Sequence, residues 1–144
     1  MKINSLNINS LKDFAGRLAV QLQLGDVVTL TGDLGSGKTT FAGLLLGHLS
    51  VQDIAVTSPT FNIVNVYDAD SFPVWHFDLY RLEDENEIAN IGIDEALTSA
   101  LSIIEWPEIA NSYLPAQRIE INISFATPNT RNLQITNTIT RIIL

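Results

Sequence analysis

Cysteine is absent from this chain of 144 residues. Its absence removes disulfides, thiolate nucleophiles and cysteine-based zinc sites together. Histidine is almost as scarce: His48 and His76 are the 2 present, too few for a histidine-rich metal site. Positive charge is also sparse. Lys and Arg number 8 against 16 Asp and Glu, which gives a net charge of −8 and a pI near 4.5. A protein that grips nucleic acid directly needs clustered positive charge to neutralise phosphates. Here the basic residues are scattered from Lys2 to Arg141. Apolar runs stay shorter than a membrane span. Met1-Lys2-Ile3-Asn4 lacks the apolar stretch of a signal peptide, so the expected compartment is the cytoplasm.

What the chain does have is enough apolar residue, 46%, to build a core. Its length suits one domain, expected to span residues 1–144. Ile3 to Ile8 alternates as an edge strand would. Ser10 and Asp13 then form a capping-box-like helix start, with Leu11, Phe14, Ala15, Leu18, Ala19 and Leu22 on one face and Gly25 as the stop. Val27 to Thr31 reads as a buried strand, and Thr39 to Leu49 as a helix with Phe41, Leu44, Leu45 and Leu49 at helical spacing. Strands are expected over Asn62 to Tyr67 and Val74 to Tyr80, joined by a turn from Asp68 to Pro73.

More than half of the 16 acidic residues fall between Asp78 and Glu108. Within that region Glu83 to Leu101 reads as one or two short helices broken near Gly92. Its acidity reads as a solvated helix face, with a docking face for a protein partner as the alternative. Leu101 to Ile104 is a short buried strand ending at Glu105, and Pro107 opens a short helix. Ile119, Ile121, Ile123 and Phe125 alternate with polar residues. Thr127 to Thr130 supplies a turn, and Leu133 and Ile135 mark the returning strand. The last residues, Arg141 to Leu144, have no assignment. The pattern is α/β, with some parallel strands and an antiparallel margin.

The chemistry concentrates in Gly32-Asp33-Leu34-Gly35-Ser36-Gly37-Lys38-Thr39, which fits the phosphate-binding pattern G-x-x-x-x-G-K-[ST] without a mismatch. Glycines let the backbone curl so that its N–H groups converge on a phosphate chain. Lys38 then supplies positive charge near the β- and γ-phosphates, and the Thr39 hydroxyl is a ligand for Mg²⁺. A strand before the loop and a helix after it is the context the motif requires.

Binding needs only the loop; hydrolysis needs a second acid for the metal and a group to orient water. Asp78 and Glu105 each follow a strongly apolar strand and are expected at the carboxyl edge of a parallel sheet, where ligands bind in open α/β folds. Chemistry alone does not decide which of them meets the metal. His76 and Asp78 share a strand face, either as a catalytic pair or with His76 packed and hydrogen-bonded in support of the site. Trp106 shields the phosphates, touches the base or simply packs. Ser58-Pro59-Thr60-Phe61 has the character of a loop that reports the γ-phosphate, with Thr60 offering its hydroxyl. The N-K-x-D signature with which Ras-type GTPases read guanine is missing, which favours ATP.

Four blocks together resemble a known family. They are Gly32 to Thr40, Thr57 to Phe61, His76-Phe77-Asp78-Leu79-Tyr80-Arg81-Leu82, and Ile104-Glu105-Trp106-Pro107-Glu108. In order and spacing they look like the signature blocks of the TsaE (YjeE) family, small bacterial ATPases of tRNA threonylcarbamoyladenosine synthesis. The resemblance implies a P-loop NTPase-like fold, a parallel sheet core flanked by antiparallel strands with packed helices. It implies ATP and Mg²⁺ as cofactors. Asp33, Leu34, Gly35, Ser36, Gly37, Lys38, Thr39 and Thr40 would hold the nucleotide, joined by Thr60 and Trp106. Thr39 and Glu105 would bind the metal. Lys38, Asp78 and Glu105 would carry catalysis, with Asp78 as the catalytic or water-positioning carboxylate. Family members hydrolyse ATP slowly alone and work by docking onto the TsaD–TsaB complex, so tRNA would be met only indirectly and no membrane is involved. Arg131 resembles a family arginine near the end of the chain. Against this stand a small-molecule kinase and a GTPase-like switch. The kinase is disfavoured because only Arg81, Arg118, Arg131 and Arg141 follow the loop, and they are dispersed.

Overall fold

The computed structural model describes residues 1–51 and 63–144. Among the described residues seven strands form one sheet: β1 (Lys2–Leu6), β2 (Val27–Thr31), β3 (Val64–Asp68), β4 (Pro73–Asp78), β5 (Leu101–Glu105), β6 (Ile119–Thr127) and β7 (Thr130–Asn137). Their order across the sheet is β1-β7-β6-β2-β5-β4-β3. The central strands β6, β2, β5 and β4 run parallel, and β7, β1 and β3 add antiparallel margins. Helices α1 (Ile8–Ala19) and α2 (Lys38–His48) cover one face. The other face, over β4 and β5, carries α3 (Ile93–Ser99) and 3₁₀ helices at Glu85–Ile91 and Pro107–Tyr113. The α/β arrangement expected from the sequence is therefore the observed one.

The two faces follow from side-chain parity. A strand buried on both sides reads as a continuous apolar run, whereas a half-exposed one alternates. In β2, Val28 and Leu30 pack under α1 and α2 while Val27 faces the opposite core. In β5, Leu101 and Ile103 point to the first core and Ile104 to the second. In β6, Ile119, Ile121 and Ile123 are buried and alternate with exposed Glu120, Asn122 and Ser124. The first core is closed by Phe14 and Leu18 of α1 and by Phe41, Leu45 and Leu46 of α2, all within 2% of full burial. Side chains of this size contribute roughly 1.5–3 kcal/mol each when withdrawn from water.

Element boundaries moved where local polar groups competed with the periodic pattern. The cap of helix α1 is Asn7, three residues before the expected Ser10: its side chain accepts from the Ser10 N–H at 2.9 Å. Strand β1 stops at Leu6 rather than reaching Ile8, because Asn7 already caps α1; Ser5, with φ 56° and its N–H donating to Asn132 Oδ1, sits in a register shift between Ile3 and Leu6. Gly25 does not end the helix, which closes at Val20. Its positive φ of 91° instead serves the turn into β2. Strand β4 begins at Pro73 and ends at Asp78, because the Asp78 carboxylate accepts the Tyr80 N–H at 3.1 Å and folds the chain away from the sheet. Asn62, the expected start of β3, lies outside the described residues. The break at Gly92 separates the 3₁₀ helix from α3.

The unassigned tail forms no regular element but is part of the core. Ile139 and Ile142 are buried at 7% and 4% exposure. Between them Arg141 pairs with Asp26 and donates to the Gln21 carbonyl at 2.7 Å. The Gln21 side chain in turn holds the Ile143 backbone. Ile142→Ala should therefore lower unfolding stability by about 2 kcal/mol or more. Ile143→Ala, at a side chain 81% exposed, should change it by under about 0.5 kcal/mol. Urea denaturation of the two variants checks the contrast.

Candidate functional site

The carboxyl ends of the parallel strands converge on the loop. Register sets Leu30 of β2 beside Glu105 of β5, and Glu105 beside Asp78 of β4. Two hydrogen bonds continue the ladder past the strand ends. The Leu79 N–H reaches the Glu105 carbonyl, and the Trp106 N–H reaches the Leu30 carbonyl. Both acids lie on the sheet face that α2 covers, since they share parity with Val74 and Ile103. The sheet edge, the loop and the first turn of α2 thus meet at one place.

Gly32 is fixed there by close approach as well as by backbone angle. Its φ is 142°, and a Cβ on it would lie 2.2 Å from the Ile123 carbonyl oxygen of β6. Backbone cannot yield as a flexible side chain would. Gly37, with φ 109°, leads directly into α2, whose N-terminus faces the cavity. Free N–H groups and the helix dipole make such an end receptive to anions.

Leu34, Gly35, Gly37, Lys38, Thr39 and Thr40 line a cavity of about 380 Å³ with Asp78, Glu105 and Trp106. Tyr80 and Arg81 complete its wall and were not singled out from the sequence, although both stand in the block that holds Asp78. Two of the expected nucleotide residues do not line it. Asp33 and Ser36 act through the backbone: the Asp33 carbonyl accepts from the Ser36 N–H at 3.0 Å and from Lys38 Nζ at 2.9 Å. Ser36 is buried, with its hydroxyl unpartnered. Thr60, with the Ser58 to Phe61 loop, lies outside the described residues.

The Thr39 hydroxyl donates to the Glu105 carboxylate, at 2.9 Å to Oε1 and 3.1 Å to Oε2. Glu105 is 2% exposed and also accepts from His76 Nε2 at 2.6 Å. His76 is therefore hydrogen-bonded to Glu105, the contact expected of a packed histidine that supports the site. Lys38 Nζ donates to the Gly32 carbonyl at 2.7 Å and lies 4.3 Å from the centre of the Trp106 ring. Tyr80 packs on the same indole at 4.8 Å between ring centres. Trp106 holds φ 55°, a left-handed conformation that lets Glu105 and the indole both face the cavity. Burial pulls the Lys38 ammonium below its ordinary pKa, opposed by the carboxylates of Glu105, Asp78, Asp33 and Glu108. An incoming phosphate would strengthen that opposing pull.

Behind the loop, Arg131 of β7 donates from Nε to the Ser36 carbonyl at 2.7 Å. Its other contacts are the carbonyls of Thr127, Pro128 and Thr130 and the Phe125 ring. This ties the β6–β7 hairpin to the phosphate loop. A second cavity of about 180 Å³ opens beside it, walled by Ile8, Leu11, Phe41, Ile123 and Pro128, and shares Gly37 and Thr40 with the first.

The donor set suits a magnesium ion. One carboxylate and one hydroxyl leave positions for phosphate oxygens and water, which is how Mg²⁺ is held beside nucleotides. Among the described residues no group of three or more His, Cys, Asp or Glu forms a self-sufficient metal site. None of the described helices is long and apolar enough to cross a membrane.

The loop geometry yields a direct expectation. Gly32→Ala should cost about 3 kcal/mol or more, from the left-handed angle and the clash with Ile123. Gly47→Ala, in α2 with open space around the position, should gain about 0.5 kcal/mol. Thermal and urea unfolding of both variants test the pair.

Comparison with known proteins identifies the family and agrees with the fold. The family model described as Threonylcarbamoyl adenosine biosynthesis protein TsaE matches residues 6–133. A protein named tRNA threonylcarbamoyladenosine biosynthesis protein TsaE from Rickettsia bellii is 39% identical over 126 residues, covering 88% of each chain. Its namesake from Bacillus subtilis is 36% identical over 137 residues, covering 94% of this chain and 85% of the relative. The crystal structure of Bacillus subtilis YdiB superposes with a TM-score of 0.80 at 31% identity, covering 99% of this chain and 88% of that one. Motif, P-loop fold and relatives agree: the chain belongs to the TsaE family of tRNA threonylcarbamoyladenosine biosynthesis.

Proposed function

We propose that this protein is a single-domain ATPase, residues 1–144, that binds and hydrolyses ATP with Mg²⁺ and supports tRNA threonylcarbamoyladenosine formation by acting on the TsaD–TsaB complex. The observation that carries the reading is the hydrogen bond from Thr39 to Glu105 at the mouth of the phosphate loop, with Asp78 and Lys38 in the same cavity. The Thr39 hydroxyl directs its proton at Glu105 and so leaves an oxygen lone pair for the metal. The backbone N–H groups at the start of α2 and the Lys38 ammonium receive the phosphates. Bound Mg²⁺ would draw charge from the phosphate oxygens as the terminal bond breaks.

Asp78 is the second acid at the sheet edge, and its carboxylate is the group assigned to orient the attacking water. Arg81 brings a positive charge to the same wall. The indole of Trp106, flanked by Tyr80 and Lys38, covers the phosphate end. The neighbouring apolar cavity beside Thr40 offers room for the nucleoside. A net charge of −8 fits a role exerted through protein contacts, with tRNA held by the partner.

Three substitutions test these roles. Lys38→Ala should abolish measurable nucleotide binding or hydrolysis, and undiminished ATP turnover would remove the loop from the account. Asp78→Ala should slow hydrolysis by about 100-fold or more while ATP binds as before; a matching loss of affinity would give Asp78 a binding role instead. Glu105→Ala should weaken Mg²⁺-dependent nucleotide binding more than Mg²⁺-free binding. Calorimetric titration with ATP and GTP, and ADP release without an added acceptor, separate an ATPase from a GTPase-like switch and from a kinase.

A further inference from the structure

We propose that His76 is a positioning residue: its Nε2–H holds the Glu105 carboxylate in the orientation that serves Thr39, and through it the magnesium site. The proposal rests on the reading of Glu105 as the metal-side carboxylate. His76 lies in β4, fully buried, on the same sheet face as Asp78. It does not line the nucleotide cavity, so it acts through another residue.

A carboxylate oxygen at 2.6 Å accepts, so the hydrogen resides on Nε2. Nδ1 is buried without a hydrogen-bond partner. A histidine kept only to fill space would be costly here, because a buried ring nitrogen without a partner is unfavourable and an apolar side chain of similar size carries no such penalty. The single polar bond the ring makes goes to the carboxylate that meets Thr39.

Glu105 needs such a brace. Its side chain has several rotatable bonds, and its two oxygens share one proton from Thr39. That hydrogen bond alone leaves the carboxylate free to rotate about its terminal bond. His76 bonds Oε2 at 2.6 Å, which fixes the plane and leaves the shorter of the two Thr39 contacts on Oε1. Hydrogen-bond partners behind a ligating group typically matter this way, orienting the group without touching the metal.

The test is calorimetric binding of ADP with and without Mg²⁺, at one fixed pH, for the native protein, His76→Ala, His76→Gln, His76→Asn and Glu105→Ala. His76→Ala should raise the Mg²⁺ concentration needed for half-maximal tightening by about tenfold, with Mg²⁺-free ADP affinity within about twofold of native. His76→Gln places an amide N–H near the Nε2 position and should recover most of the response. His76→Asn is too short to reach Glu105 and should not. If the alanine variant fails to fold, the Gln and Asn variants still decide, and equal Mg²⁺ responses in those two would overturn the proposal. So would a native-like Mg²⁺ response in His76→Ala, or equal losses with and without Mg²⁺, the mark of a purely structural role. If the native protein shows no Mg²⁺ response, or Glu105→Ala leaves it intact, the metal reading of Glu105 fails and takes the role of His76 with it.

Discussion

One hydrogen bond, from the Thr39 hydroxyl to the Glu105 carboxylate, joins the first turn of α2 to the end of β5. The rest of the molecule is arranged around it. Strand β5 lies between β2 and β4, so Glu105 is held by register against Leu30 on one side and Asp78 on the other. Helix α2 starts where it does because the loop leaves β2 at Gly32, against the Ile123 carbonyl of β6. Arg131 reaches across from β7 to the Ser36 carbonyl and fixes the loop from behind. His76 fixes the carboxylate from below.

Charge gives the site its chemical bias. Lys38 is buried among Glu105, Asp78, Asp33 and Glu108, which favour its ammonium form while burial opposes it. Carboxylates at the carboxyl edge of the sheet would repel a bare triphosphate. A divalent cation between them turns that repulsion into attraction, which is the physical case for pairing Mg²⁺ with the nucleotide in the proposed function. The acidic surplus of the chain is concentrated between Asp78 and Glu108, and it supports the proposed reading in which a partner holds the tRNA.

Much of this was legible in the sequence because periodicity and spacing report it directly. The largely apolar, buried β2 and β5 and the alternation of β6 pointed to the parallel core and its antiparallel margin. The loop motif located the cavity, and the strand-end positions of Asp78 and Glu105 brought both to it. Polar side chains that cap or turn the chain were harder to read. Asn7 competed with Ser10 for the start of α1, and Asp78 folded the chain before Tyr80 could extend β4. Pattern alone could not tell that Ser36 turns inward or that His76 bonds Glu105, since both depend on which strands become neighbours. The tail was unreadable for the same reason: Ile139 and Ile142 have no period, and long-range contacts such as the Arg141–Asp26 pair and the Gln21–Ile143 hydrogen bonds fix them.

The proposed function joins two claims, that the loop hydrolyses ATP and that a partner complex sets the rate. ATP hydrolysis by the purified protein, measured with and without a purified TsaD–TsaB pair, addresses both at once. Slow turnover alone and strong stimulation by the pair, lost in Lys38→Ala, is the result the account predicts. Turnover that the pair does not alter, or that survives in Lys38→Ala, would contradict it.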